Sequence, residues 1–271
     1  MNDILMVSHF HKDFPFNHDS SWMKAAFAGG RYPYGWHPPG PGNYINTTQM
    51  HSIHEYMHYY SGCHEDEFLR AMGQQASEYY LWKYGQADYI GCTTYRRYLK
   101  FDDGLESNVI KAGMAPSIQS ANYLSSDQQR DAALTLLQTH DIITNRLTPL
   151  PYSVIDQYLQ SQPAEYINLF LEGIEQLMPD YRSKMNWWHG NEASFETCYV
   201  MRKQLFKKYV SELFELLEYV WKNAKTAYPR MQTTSEPLPW RYPGFLGERF
   251  LPFFIYANDV NVFRVPLVIL E

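Results

Sequence analysis

The residues with the most chemistry in this chain are two arginines set between tyrosines, Tyr95-Arg96-Arg97-Tyr98, just after an apolar run that ends at Cys92. A guanidinium keeps its charge at any ordinary pH and grips phosphate with two parallel N–H groups. Two side by side suit a diphosphate and can stabilise it as a leaving group. Open α/β sheets take ligands beyond the carboxyl ends of their strands, which is where this segment falls. The plainer alternative is a structural Arg pair on a solvated face. Glu248 is a second candidate, in Gly244-Phe245-Leu246-Gly247-Glu248-Arg249. Read as lying in the first turn of a helix, it either takes a proton from an attacking hydroxyl or merely complements the helix dipole. The third is His189-Gly190-Asn191-Glu192, beside Trp187 and Trp188, whose rings offer faces on which a sugar could stack. An ordinary surface turn accounts for the same residues.

Other familiar constellations are missing. His51, His54, His58 and His64 are close in sequence, and His54 and His58 would share a helix face, but no HExxH accompanies them and no metal site is assigned. The sequence has no G-x-x-x-x-G-K-[ST], no G-x-G-x-x-G after the first strand and no G-x-S-x-G, so nucleoside triphosphatases, dinucleotide enzymes and esterases lose their usual signatures. No D-x-D closes the Ala87–Cys92 run, and Asp102-Asp103 comes after the arginines.

These residues need a scaffold, and 271 of them suffice for one large α/β domain without disulfides. Aromatics reach 17%, a surplus that suits flat, polar-edged ligands or a large aromatic core. A net charge of −6 argues against nucleic acid as a partner. Cys63, Cys92 and Cys198 form no CxxC pair, which fits a reducing cytoplasm. No signal peptide or membrane span is evident, and peripheral membrane contact rests on aromatic-basic stretches such as Trp221 to Arg230.

The periodicity predicts strands at Ile4–Ser8, Ala87–Cys92, His140–Thr144, Thr197–Met201 and a final one within Val260–Leu270. Helices are expected over Glu65–Tyr84 with Gly85 as cap, Ser125–Thr139, one or two within Ser153–Met178, Gln204–Lys222, and one opening at Gly244 after a Pro-rich break at Pro237–Pro243. Gly29–Asn43 reads as an irregular loop. Alternation of this kind points to a mostly parallel sheet. No linker divides the chain, so one domain spans 1–271, with a donor half (1–105) and an acceptor half (106–271).

Several segments together resemble the DUF4422 family, linked to glycosyltransferases of bacterial capsule synthesis. They are His11-Lys12, Tyr79 to Lys83, Asp88-Tyr89-Ile90-Gly91, Thr94 to Leu99, Cys198 to Leu217, and Gly244 to Arg249. The resemblance implies a single-domain, GT-A-like and Rossmann-related fold, a mostly parallel central sheet flanked by helices. It also implies a UDP-sugar donor, a hexosyl unit such as galactosyl or galactofuranosyl, and a saccharide or lipid-linked glycan acceptor in capsule or O-antigen synthesis. By the same resemblance His11, Lys12, Tyr95, Arg96 and Arg97 lie on the donor side and Glu248 on the acceptor side, as the base of an expected inverting transfer; His9 and Thr94 are expected on the donor side with them. Trp188, His189, Gly190, Asn191, Glu192 and Arg249 are expected to meet the acceptor. No cofactor is required on this reading, with Mn²⁺ or Mg²⁺ as an option to test. Two positions depart from the family pattern: Thr94 stands where His is usual, and Gln74 where an acid is usual. A non-catalytic carbohydrate-binding protein of the same fold is the alternative, and a phosphate-ester hydrolase using the His-rich segment is a third.

Overall fold

The computed structural model describes residues 3–10, 20–27, 74–94, 96–102, 114–115, 118–224 and 242–270. Nine strands form one sheet among these residues. Its path is β10 (Val262–Val265), β6 (Ile142–Asn145), β9 (Tyr199–Arg202), β3 (Tyr89–Thr94), β4 (Arg97–Leu99), β11 (Leu267–Leu270) and β5 (Met114–Ala115). In addition, β1 (Ile4–Phe10) joins β3 and carries β2 (Met23–Phe27) on its other side. The two longest ladders, β1 with β3 and β1 with β2, are parallel, as is β10 with β6, while β9 runs antiparallel between β3 and β6. Strands from 1–105 and from 106–271 thus share one sheet. A small hairpin-like pair, β7 (Thr148–Pro149) with β8 (Glu192–Ala193), stands apart from it.

Alternation along the strands sends side chains to two cores. On one face Val7, Ile90, Cys92, Ile142, Tyr199 and Met201 meet the helices α1 (Gln74–Tyr84), α4 (Val154–Leu159), α5 (Ala164–Leu177), α6 (Lys203–Asn223) and α7 (Tyr242–Ala257). The 3₁₀ segment Pro179–His189 completes that layer. On the other face Met6, Tyr89, Ile143 and Val200 meet α2 (Ile118–Leu124) and α3 (Asp127–Leu137). Trp22 fastens the β2 edge by donating from Nε1 to the Ser125 carbonyl at 2.9 Å.

Several boundaries differ from the periodicity, each for a local reason. Thr93 and Thr94 were expected to leave the sheet, but they pair with Ser8 and His9, and the chain turns straight back into β4. Ser153–Met178 holds two helices; Ser153 caps the first by accepting from the Asp156 amide, and Pro163 precedes the second. The expected last strand is two, because Pro266 has no amide to give a ladder and divides β10 from β11. Helix α7 opens at Tyr242 and includes Pro243, since proline is tolerated in a first turn, where its missing N–H has no intrahelical partner to lose. The expected helix at Glu65–Tyr84 is seen from Gln74 onward; residues 65–73 and the Gly29–Asn43 loop lie outside the described residues.

Gly91 shows how tightly the sheet centre is built. A Cβ there would sit 2.5 Å from the Tyr199 carbonyl oxygen and 2.8 Å from Met6 Cγ. Gly91→Ala should therefore cost about 1–3 kcal/mol of stability through overpacking. Urea unfolding checks this, and an unmoved midpoint would show that β3 and β9 have slack.

Candidate functional site

The sheet brings three strand ends and one strand start to a common edge. β1 and β3 run parallel with Ser8 opposite Thr93 and His9 opposite Thr94. β9 is antiparallel to both β3 and β6, so the carboxyl end of β6 at Asn145 and the amino end of β9 at Tyr199 arrive at that same edge. Beyond Thr94 the chain reverses, and Arg97 pairs back with Thr94. The reversal is pinned from two sides: the Thr93 hydroxyl donates to the Arg97 carbonyl, and the Leu270 amide donates to the Arg96 carbonyl at 2.7 Å.

Arg97 is half-buried there and Arg96 is exposed. The Nε of Arg97 and the hydroxyl of Thr94 are both buried with no hydrogen-bond partner among the described residues. Buried polar atoms are normally satisfied, so such a pair at a strand end suits ligand oxygens. His9 is buried, with Nδ1 2.9 Å from the Ser77 hydroxyl on α1. His11, Lys12 and Tyr95 lie outside the described residues, as do His51, His54, His58 and His64. Asp102 is already occupied, accepting from the Tyr123 hydroxyl at 2.7 Å and the Gln128 amide at 2.8 Å. No group of three or more His, Cys, Asp or Glu gathers for a metal among the described residues.

Across the edge, the segment 193–198 crosses from β8 to β9 and is unusually constrained. Thr197 is buried with φ at 45°, a left-handed backbone that a β-branched residue seldom adopts. Its carbonyl accepts from Gln74 Nε2 at 2.6 Å, so the amide at position 74 makes a bond that an ionised acid could not donate. Next to it, Glu196 Oε2 accepts from Asn145 Nδ2 at 3.2 Å, and Asn145 Oδ1 accepts from the Ser194 hydroxyl at 2.7 Å. The buried Cys198 thiol senses both flanking charges. Burial pushes its pKa up to about 11, Arg97 draws it down and Glu196 raises it. Asn145, Glu196 and Thr197 carry no sequence motif, because their partners are distant along the chain.

Of the residues expected at the acceptor, His189, Gly190, Asn191 and Glu192 are all exposed. They are tied beyond the end of β6, since the Leu150 amide donates to the Asn191 carbonyl at 2.7 Å and the Val154 amide to Gly190 at 2.9 Å. Trp188 corrects the expectation: it is fully buried, edge-on to Phe170 and Trp187 and against Phe253, so it presents no face to a sugar. Arg249 is also turned inward, 1% exposed. It donates to the Phe245 carbonyl at 2.6 Å and to Gln157 Oε1, and its guanidinium lies 4.6 Å from the Phe195 ring. Burial lowers its pKa to about 10, and it acts as a strut between α7, α4 and the 193–198 segment. Glu248 is half-buried and sits about two turns into α7, not in the first turn, so it is no dipole partner of the helix start. The same helix touches α1 at Gly247, where any Cβ would collide with the Gln75 side chain.

The result is an open, largely parallel sheet with an antiparallel strand inserted beside its centre, helices on both faces and an arginine at the strand ends. The apo structure of the bifunctional glycosyltransferase WbbM matches it with a TM-score of 0.70 and 16% identity, over 100% of this chain and 46% of that one. The likeness is one of fold, and this chain spans about half the length of that protein's chain. By sequence, the DUF4422 family, described as a domain of unknown function, matches residues 74–259, and the chain belongs to it. No curated protein matches the sequence. No helix among the described residues is long and apolar enough to cross a membrane.

Beneath the edge, Glu78 follows Ser77 on α1 and is completely buried, accepting from the Tyr199 hydroxyl at 2.8 Å. Burial raises its pKa from 4.5 to about 7, against the pull of that hydrogen bond. The folded protein thus holds a proton that the unfolded chain has released. Stability from this group is full below the unfolded pKa, declines as pH rises toward about 7, and stays lost above it. Glu78→Gln should remove that decline. Melting curves of wild type and variant, recorded across this window, should diverge with rising pH; parallel curves would mean that Glu78 titrates normally.

Proposed function

We propose that the chain is a glycosyltransferase that moves a hexosyl unit from a UDP-sugar to a saccharide hydroxyl on a growing bacterial surface glycan, capsule or O-antigen. Galactofuranosyl and galactosyl are the units to test first. One observation carries the reading. Arg97, with a buried Nε that lacks a partner among the described residues, turns back at the shared carboxyl end of β1 and β3. That position is where open α/β sheets receive nucleotides. The fold shared with a glycosyltransferase supports it.

In this reading the acceptor oxygen attacks the anomeric carbon on the side away from the diphosphate. The bond from that carbon to the phosphate oxygen breaks, its electron pair leaves on UDP, and the configuration inverts. The acceptor proton passes to Glu248. Arg96 and Arg97 face the diphosphate as its charge grows, while His9, His11, Lys12, Thr94 and Tyr95 hold the nucleotide side. His189, Gly190, Asn191 and Glu192 line the acceptor's approach, whether that acceptor is a free saccharide or a lipid-linked glycan. Trp188 and Arg249 have no direct part. The reaction is placed in the cytoplasm, at the inner face of the membrane, where such donors and acceptors meet.

Titration calorimetry with UDP, GDP, CMP and their sugar conjugates tests the donor class, and selective binding of UDP or a UDP-sugar is expected. Silence toward every nucleotide would favour a carbohydrate-binding protein without transfer. Arg97→Ala should lower turnover about 100-fold or more, as loss of one group aimed at developing charge does elsewhere, with the melting temperature kept. Turnover equal to wild type would remove Arg97 from the diphosphate. The two guanidiniums are also expected to sustain transfer in excess chelator; complete loss of UDP release with EDTA, restored by Mn²⁺, would assign that charge to a cation instead.

A further inference from the structure

The segment from Ser194 to Cys198, leading into β9, is held in a strained backbone at Thr197. Thr197 is a buried threonine at φ 45°, and such residues persist only where the surroundings impose them. One contact that holds it is Gln74 Nε2, which donates to the Thr197 carbonyl at 2.6 Å. Next to Thr197, Glu196 is held by Asn145, itself 3% exposed and locked by the Ser194 hydroxyl. Among the described residues only one carboxylate oxygen is engaged. Asn145 takes Oε2, and Oε1 accepts no hydrogen bond among the described residues. Glu196 is half-buried, at the junction of the β6 end and the β9 start, and acts on the same thiol as Arg97.

From this geometry we infer that Glu196 binds the donor's sugar, its free oxygen accepting hydrogen bonds from hydroxyls of the unit transferred, with Asn145 and Thr197 as positioning residues. The inference rests on the nucleotide-sugar reading of this edge. The chemistry chooses the sugar over the diphosphate. An ionised carboxylate only accepts hydrogen bonds and repels phosphate oxygens, whereas sugar hydroxyls donate and gain strength from the charge. It also separates two carboxylates by task. Glu196 is clamped by a buried amide in the sheet edge, which suits recognition of one hydroxyl pattern, while Glu248 stands on α7. Such a site rejects sugars whose hydroxyl points elsewhere, because the clamped oxygen is then left without its donor.

The test is the Glu196→Gln variant, which keeps the shape and can still accept from Asn145 through its amide oxygen. Calorimetry compares UDP with UDP-galactose on wild type and variant, alongside the melting temperature of each. UDP should bind both proteins equally, while UDP-galactose should bind the variant about tenfold more weakly, the expected loss of one charge-assisted hydrogen bond. Equal weakening of UDP and UDP-galactose would place Glu196 at the nucleotide or in the fold and overturn the inference, as would UDP-galactose binding unchanged. If wild type binds UDP but gains nothing from the sugar, Glu196 has no such role. If wild type binds neither, the nucleotide-sugar reading itself falls.

Discussion

Strand β3 is bonded on both sides, parallel to β1 and antiparallel to β9, and the arrangement of the edge follows from that pairing. A parallel partner makes two chains end together; an antiparallel partner makes a third begin where they end. His9, Thr94 and the 194–198 segment, far apart in sequence, are thereby brought to one line. Gly91 is the condition for it, since the Tyr199 carbonyl passes so close that no side chain fits. The reversal after Thr94 then returns Arg97 to the edge instead of carrying it into solvent.

Polar groups around this line are fixed before any ligand arrives. Ser77 meets His9, Gln74 holds Thr197, and Asn145 holds Glu196, each bond linking a helix or a strand end to a neighbour remote in sequence. Prearranged dipoles and charges of this kind need not reorganise when charge moves, which is where electrostatic catalysis finds its advantage. The buried Glu78 beneath them carries a cost of the opposite sign, a carboxylate that ionises only near neutrality inside an aromatic layer.

The sequence made the strand-end arginines legible because a buried run followed by basic residues is a local pattern. Alternating strands and helices were legible for the same reason. What escaped was set by distant partners. Trp188 has the right type to stack on a sugar, yet Phe170 and Phe253 enclose it, and composition alone does not distinguish a core ring from an exposed one. Much of the aromatic surplus goes the same way, with Tyr166 stacked on Tyr242 and Tyr209 on Phe250. Glu196 lies in an irregular stretch, and its meaning comes from Asn145, on another strand. Pro243 reads as a break by type but sits inside the opening turn of α7, which moved Glu248 deeper into the helix than expected.

The central claim is that the carboxyl edge of β1 and β3 receives the diphosphate of a nucleotide sugar. A crystal structure of the protein soaked with a UDP-sugar tests it most directly. The account predicts diphosphate density beyond Thr94 within hydrogen-bond distance of the Arg97 guanidinium, with the sugar directed toward Glu196. A nucleotide bound elsewhere on the molecule, with Arg97 untouched, would contradict it.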